Sequence, residues 1–286
     1  MSSLKEIKNR IQSVRSTQKI TSAMKMVSSA KLRKAEKAIT NFYPYEQRMT
    51  GILNRFLSSD DDLSSVFSEV RDVKRVAVVA FSSNSSLCGS FNSNVIKKLT
   101  QTLRAYSSLT TENILVYPIG KKVYQYCIKH GIPVQGNFES LTDKPDYQAA
   151  SDLADKLAQM FKNREIDKVE LIFYHFKNKS SQELTFEDFL PATLEKKTKG
   201  SVPPDYIIEP DKETIIRELI PKVLRLKLYT ALLDSVASEH AARTIAMQIA
   251  TDNADDLLQD LSLQYNKSRQ QAITNELLDI IGGSFK

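Results

Sequence analysis

The 286-residue chain is short of several things that mark particular protein classes. Its two cysteines, Cys88 and Cys127, are too few for a disulfide framework or, by themselves, a structural zinc site, so a reducing compartment is expected. Eight glycines and nine prolines exclude a collagen-like or linker chain. No apolar run approaches the roughly 20 residues that span a bilayer. The opening MSSLKEIKNR lacks a hydrophobic signal core. The chain is therefore expected to be neither secreted nor embedded in a membrane. His130, His175 and His240 lie in three different segments without metal-ligand spacing. No GxGxxG, GxxxxGKS or GxxxxGKT pattern occurs, so the glycines that let a pyrophosphate approach the backbone are missing.

What is present is a globular composition, 41% hydrophobic and 26% charged, which excludes disorder. The formal net charge of +6 is unevenly placed. Residues 1–40 hold ten Lys or Arg against only Glu6 and Glu36, whereas residues 211–286 hold nine basic and eleven acidic residues. The first forty residues thus account for the excess. A basic stripe of this kind expects an acidic partner, either nucleic acid or an acidic protein surface.

Glycine and proline divide the chain into three parts. Neither occurs from Met1 to Tyr43 or from Lys222 to Ile281, and 14 of the 17 fall between Pro44 and Pro210. Both ends therefore read as long helices. In the first, Leu4, Ile7, Ile11 and Val14 repeat as a coiled-coil seam, with a second set at Ile20, Met24 and Val27, and the seam turns polar at Gln18, Thr21 and Ser28. In the last, the seam passes through Leu219, Val223, Leu226, Leu233, Ala237, Ile245, Ile249, Leu257, Leu261, Ile273, Leu277 and Ile280, slipping register on the way. An antiparallel pair buries both seams most simply, and Ser28, Ser29, Ala30, Ala237, Ala241 and Ala242 permit close approach. The polar seam points to a pair held elsewhere or built to be surrounded by other subunits.

The middle alternates strand and helix signals. Val76 to Phe81, Ile114 to Ile119 and Val169 to Phe176 read as buried strands. Residues 92–106, 121–130 and 147–163 read as helices, the first capped by Asn92 or Ser93. This is the pattern of a mostly parallel α/β sheet, with Ser181 to Pro191 as an antiparallel edge strand. The expected fold is α/β: a long antiparallel coiled coil of the terminal helices plus a Rossmann-like domain without a nucleotide site. The boundaries expected are 1–57, 73–207 and 211–286, with residues 58–70 and 195–206 as connections.

No catalytic constellation is recognisable. Cys88, beside Gly89 near a strand end, reads as a small packing residue rather than a nucleophile, and Cys127 as core. Asp60 to Asp62, Asp255 and Asp256 read as solvated acidic clusters. No metal or cofactor is expected. A basic coiled-coil scaffold or nucleic-acid-binding protein with an α/β head, and a free-standing nucleotide enzyme, are the competing readings.

The two ends are more specific. The opening LKEIKNRIQSVRSTQKITSAMKMVSSAKLRKAE (4–36) resembles the first helix of the gamma subunit of rotary proton-translocating ATP synthases. The close, SEHAARTIAMQIATDNADDLLQDLSLQYNKSRQQAITNELLDIIGG (238–283), resembles that family's last helix, with its signature around ITNELLDIIGG. RDVKRVAVVAFSSNSSLCGSFN (71–92) and YIIEPD (206–211) fall in the family's order and spacing.

The resemblance implies a central rotor shaft. Its coiled coil enters a hexamer of three alpha and three beta subunits, and its α/β domain lies beside the epsilon subunit, above the membrane ring of c subunits. It also implies a role without catalysis of its own, no nucleic acid as partner, and a peripheral place on the cytoplasmic face of a bacterial plasma membrane. Met24, Lys25, Arg269, Gln270, Thr274 and Glu276 fall where the family faces its catalytic subunits; Tyr206 and Glu209 fall where it touches the c ring. The loop from Asn84, NSSLCGSFN, departs from the family's DRGLCGGLN-like form, and the inserted cysteine pair of the plant chloroplast version is absent.

Overall fold

A computed structural model describes residues 4–57, 66–192 and 211–283. Of the connecting stretches expected at 58–70 and 195–206, residues 58–65 and 195–206 lie outside the described residues. The chain divides into two compact units, one of residues 1–30 with 243–286 and one of residues 31–242.

The two terminal helices are longer than the spacing of glycine and proline suggests. Helix α1 runs Leu4–Leu57 with Pro44 inside it, and α6 runs Lys212–Gly283 with Pro221 inside it. At 1.5 Å per residue the 72 residues of α6 extend about 110 Å. A helix-interior proline removes one backbone hydrogen bond and crowds the preceding turn. Ile216, Leu219, Ile220, Val223 and Leu224 around Pro221 are buried in the core, as is Leu53 beyond Pro44, and this packing outweighs the local penalty, so neither proline ends its helix.

In the unit of residues 31–242, the elements following α1 are β1 Val76–Phe81, α2 Phe91–Ala105, β2 Ile114–Ile119, α3 Lys121–Lys129, α4 Glu139–Asp143, α5 Tyr147–Lys162, β3 Lys168–Asn178 and β4 Ser181–Leu190. The sheet order is β2-β1-β3-β4. β1 pairs parallel with β2 and β3, and β4 closes the edge antiparallel to β3, as the sequence leads one to expect. Every residue of β1 and β2 is buried, which accounts for unbroken apolar runs in place of alternation.

Both faces of the sheet are covered. Ala77, Val79, Phe81, Leu171 and Phe173 join a core with Leu157 and Phe161 of α5, Leu32 of α1 and Leu228 and Leu232 of α6. Val76, Val78, Ala80 and Ile172 join a second core with Val95 and Leu99 of α2 and Val123 and Cys127 of α3. An aromatic group of Phe42, Tyr147 and Tyr229 ties α1, α5 and α6 together, with Phe42 and Tyr229 centroids 4.9 Å apart. The Asp146 side chain caps α5 by accepting from the Ala149 N–H at 2.9 Å. The expected cap of α2 is corrected. Ser90 occupies that position, and Asn92 instead accepts from the Ser83 N–H and hydroxyl, both at 3.0 Å.

The other unit is a two-helix pair. On α1, the less exposed positions include Leu4, Ile7, Ile11, Val14, Gln18, Thr21, Lys25 and Ser28, a strict heptad seam, with Ser22, Met24 and Ser29 flanking it. On α6 they include Thr244, Met247, Thr251, Ala254, Leu258, Leu261, Tyr265 and Ser268, with the same spacing. Of the second set expected on α1, Met24 is half-buried, whereas Ile20 and Val27 are corrected: they are 59% and 58% exposed, because a strict heptad from Leu4 steps past them. Ile249, Leu257, Ile273, Leu277 and Ile280 of α6 also face outward.

Candidate subunit interfaces

Doubly wound folds bind ligands at the carboxyl ends of their strands, and there this chain bonds to itself. After β2, the first N–H groups of α3 donate to the loop that follows β1. Lys121 N–H reaches Asn84 Oδ1 at 2.9 Å, Lys122 N–H the Ser83 carbonyl at 3.1 Å, and Val123 N–H the Ser82 hydroxyl at 3.0 Å. Gly120 makes the approach possible. Its φ is 98°, and a Cβ there would lie 2.1 Å from the Ser82 carbonyl oxygen. The donors that a helix N-terminus offers to a phosphate are thus engaged within the chain.

The loop from Ser83 to Ser90 is a polar knot around a thiol. Cys88 is buried and accepts from Asn92 Nδ2 at 3.1 Å. Cys127 is also buried, which pushes its thiol up to about 11, the opposite of an activated nucleophile. Leu87, just before Cys88, has φ 67° and 60% exposure, an apolar side chain on backbone that leucine rarely adopts.

Two buried acids escape a reading of the chain alone. Glu170 of β3 accepts from the Tyr106 hydroxyl at 2.5 Å and from Lys168 Nζ at 2.7 Å. Burial together with that bond pushes Tyr106 up to about 12. Burial alone would depress Lys168, but its bonds to Glu170 and Asp188 carry it upward. Asp234 of α6 meets His175 of β3, which the sequence presents as an isolated histidine. The partners are far apart in the chain, and no spacing signals them.

The helix pair presents a different chemistry. Three contacts step in opposite senses along the two helices: Gln18 Nε2 to Asp255 Oδ1 at 2.7 Å, Thr21 to Thr251 hydroxyl at 2.9 Å, and Lys25 Nζ to Gln248 Oε1 at 2.9 Å. The helices are therefore antiparallel through a polar stretch of seam. Thr21, Ser28, Thr244 and Thr251 are all buried there. Outside the seam, Ile20, Met26, Val27 and Ile249 are more than half exposed, and nine of the ten cations in residues 1–40 are exposed.

The residues singled out from the sequence fall at two levels of this pair. Met24 and Lys25 are half-buried beside the polar seam. Arg269, Gln270, Thr274 and Glu276 lie on α6 past Ser268, where the burial pattern ends, and all four are exposed. From Gln248 to Arg269 is about 30 Å of helix. The structure therefore does not bring the two groups together. Tyr206 and Glu209 lie outside the described residues. No helix among the described residues is long and apolar enough to cross a membrane.

A polar-seamed helix pair together with an α/β body whose ligand crevice is internally bonded defines a protein made to be gripped by others. The family model described as ATP synthase matches residues 3–285, and the chain belongs to that family. It is 59% identical over 288 residues to the ATP synthase gamma chain of Phocaeicola vulgatus, with 99% of each chain covered. It is 56% identical over 298 residues to the ATP synthase gamma chain of Bacteroides thetaiotaomicron, with all of both chains covered. The fold is also that of a rotor chain in the Euglena gracilis mitochondrial ATP synthase, with a TM-score of 0.67 at 17% identity over 94% of this chain and 98% of that one.

Proposed function

We infer that this chain is the central-stalk rotor subunit of a proton-translocating ATP synthase, coupling rotation of the c ring to ATP synthesis or hydrolysis in an alpha/beta catalytic hexamer. The observation that carries the reading is the helix pair: a wet antiparallel seam, apolar residues on its outer surface, and an end of α6 from Arg269 to Ile281 in which every residue is exposed. Exposed apolar side chains on a long helix mark contact with other proteins. A gamma chain at 59% identity over the full length supplies the assembly in which those surfaces are covered.

The mechanism is differential contact. The surface of the pair is not three-fold symmetric, so each orientation favours a different conformation in each beta subunit, and turning the shaft drives the sites in succession. Exposed cations on α1 give an acidic loop of the catalytic subunits a guiding attraction without a rigid lock. Met24, Lys25, Arg269, Gln270, Thr274 and Glu276 contact the catalytic subunits, and Tyr206 and Glu209 contact the c ring. Residues 73–207 form the docking body, and residues 1–57 and 211–286 form the shaft. The chain performs no chemistry itself, binds epsilon as well as the c ring, and is held peripherally at the cytoplasmic face of a bacterial plasma membrane.

The test is ATP hydrolysis by alpha and beta subunits from the same source, with and without this chain, then with Arg269→Ala and Gln270→Ala together. Co-purification as one copy per hexamer with stimulated turnover is expected, and reduced stimulation in the double variant. Failure to form any complex with the hexamer would overturn the reading.

A further inference from the structure

Asp234 occupies a stretch of α6, Ala231 to Glu239, in which every residue is buried, and it is itself 2% exposed. Its Oδ2 lies 2.5 Å from Nδ1 of His175 on β3, while Oδ1 is buried without a hydrogen-bond partner among the described residues. The His175 side chain is 34% exposed, so the ring connects an enclosed carboxyl to solvent. A carboxylate in such a place needs compensation that its other neighbours do not give. Glu183 of β4 stands opposite His175, and Lys177 is already paired with Glu183. From α1, Glu46 adds negative charge, and on α6 the Thr230 hydroxyl one turn earlier is buried without a partner. Only His175 and the Phe176 N–H favour the charged form. Burial outweighs them and pushes the Asp234 carboxyl up to about 6.

We propose that His175 and Asp234 form a proton-operated latch between β3 and α6 that holds more firmly in acid than at neutral pH. When the contact opens, the aspartate meets water and titrates near the ordinary value of about 3.9. The closed contact binds a proton in a range where the opened one does not. Its contribution is therefore complete below about pH 3.9 and is lost as pH rises through about 6. The proton comes from solvent and belongs to the pair. From pH 7 to pH 5 the ratio of closed to open contact rises about tenfold.

Hydrogen–deuterium exchange of the 226–240 segment in the full chain, corrected for the intrinsic pH dependence of exchange, reads this ratio. Protection in the unaltered chain is expected to rise about tenfold between pH 7 and pH 5. Asp234→Asn still accepts from the imidazole but carries no charge, so it should be better protected than the unaltered chain at pH 7 and lose the pH response. His175→Gln removes the group that favours the carboxylate, so the midpoint of the response should move to higher pH, whereas a purely structural contact would lose protection evenly. The same pH profile in Asp234→Asn as in the unaltered chain, or an unmoved midpoint in His175→Gln, would overturn the latch. The latch stands on this geometry in the free chain. Only its consequence, a rotor whose helix is clamped to its body more tightly in acid, rests on the proposed function.

Discussion

Between Ala231 and Glu239, α6 buries every residue, whereas between Arg269 and Ile281 it buries none. Both stretches belong to one helix and are rich in aliphatic residues, so composition does not separate them. The first is surrounded by sheet, α1 and α5, and its side chains complete a core within the chain. The second carries Ile273, Leu277, Leu278, Ile280 and Ile281, each about half exposed or more. Apolar surface left uncovered on this scale marks the part of a protein that completes itself on a partner. The seam between Gln18 and Ser28 stands between these extremes, enclosed but hydrogen-bonded. Polar pairs in a seam fix register and cost stability compared with leucine, which suits helices that must keep their alignment while other subunits bear on them.

That contrast can be broken by substitution. The largest effect is expected at Leu232, 1% exposed in the core: Leu232→Ala should cost about 2–5 kcal/mol in urea unfolding, and a cost below about 1 would mean that the inner half of α6 is not held as described. Gly120→Ala comes next. Its new methyl meets the Ser82 carbonyl, so about 1–3 kcal/mol should be lost, measured the same way. In the seam, removing both hydroxyls with Thr21→Val and Thr251→Val should change stability by no more than about 1 kcal/mol, since neither is left facing an unpaired partner. A loss near 3 would show the seam to be as demanding as the core. Smallest of all, Leu277→Ser with Ile280→Ser should leave the free chain within about 0.5 kcal/mol. The same pair of changes should weaken binding to the alpha/beta hexamer, measured by co-purification.

Much of the body is legible in the sequence because its signals are local. β1 and β2 match the expected runs end to end, β4 is the expected antiparallel edge, and α2, α3 and α5 match within one residue at each end. The five residues of α4 are too few to show a period. Where a tertiary partner decides, the local signal misleads: Asn92 looks like a cap and instead bonds to Ser83. The α1 seam is legible as a heptad that turns polar at Gln18, Thr21 and Ser28; only Ile20 and Val27 of the second set mislead. Following hydrophobicity leads to Ile20 and Val27, whereas following the heptad leads through Gln18, Thr21, Lys25 and Ser28, where hydrogen bonds replace oil. The His175–Asp234 contact has no local signature, since strand and helix meet only in the fold. For Met24, Lys25, Arg269, Gln270, Thr274 and Glu276, the proposed contacts are with other chains, and no pattern within this one displays such surfaces.

The exposed end of α6 also has a thermodynamic consequence. A lone helix of about 12–15 residues is marginal in water, because nucleation is costly and each added turn gains little. From Arg269 onward α6 has no second helix beside it among the described residues, but it continues an already nucleated helix, so in the free chain only its outermost turns are expected to fray. Docking on a partner then has to hold those outermost turns in helical form as well as cover an apolar surface.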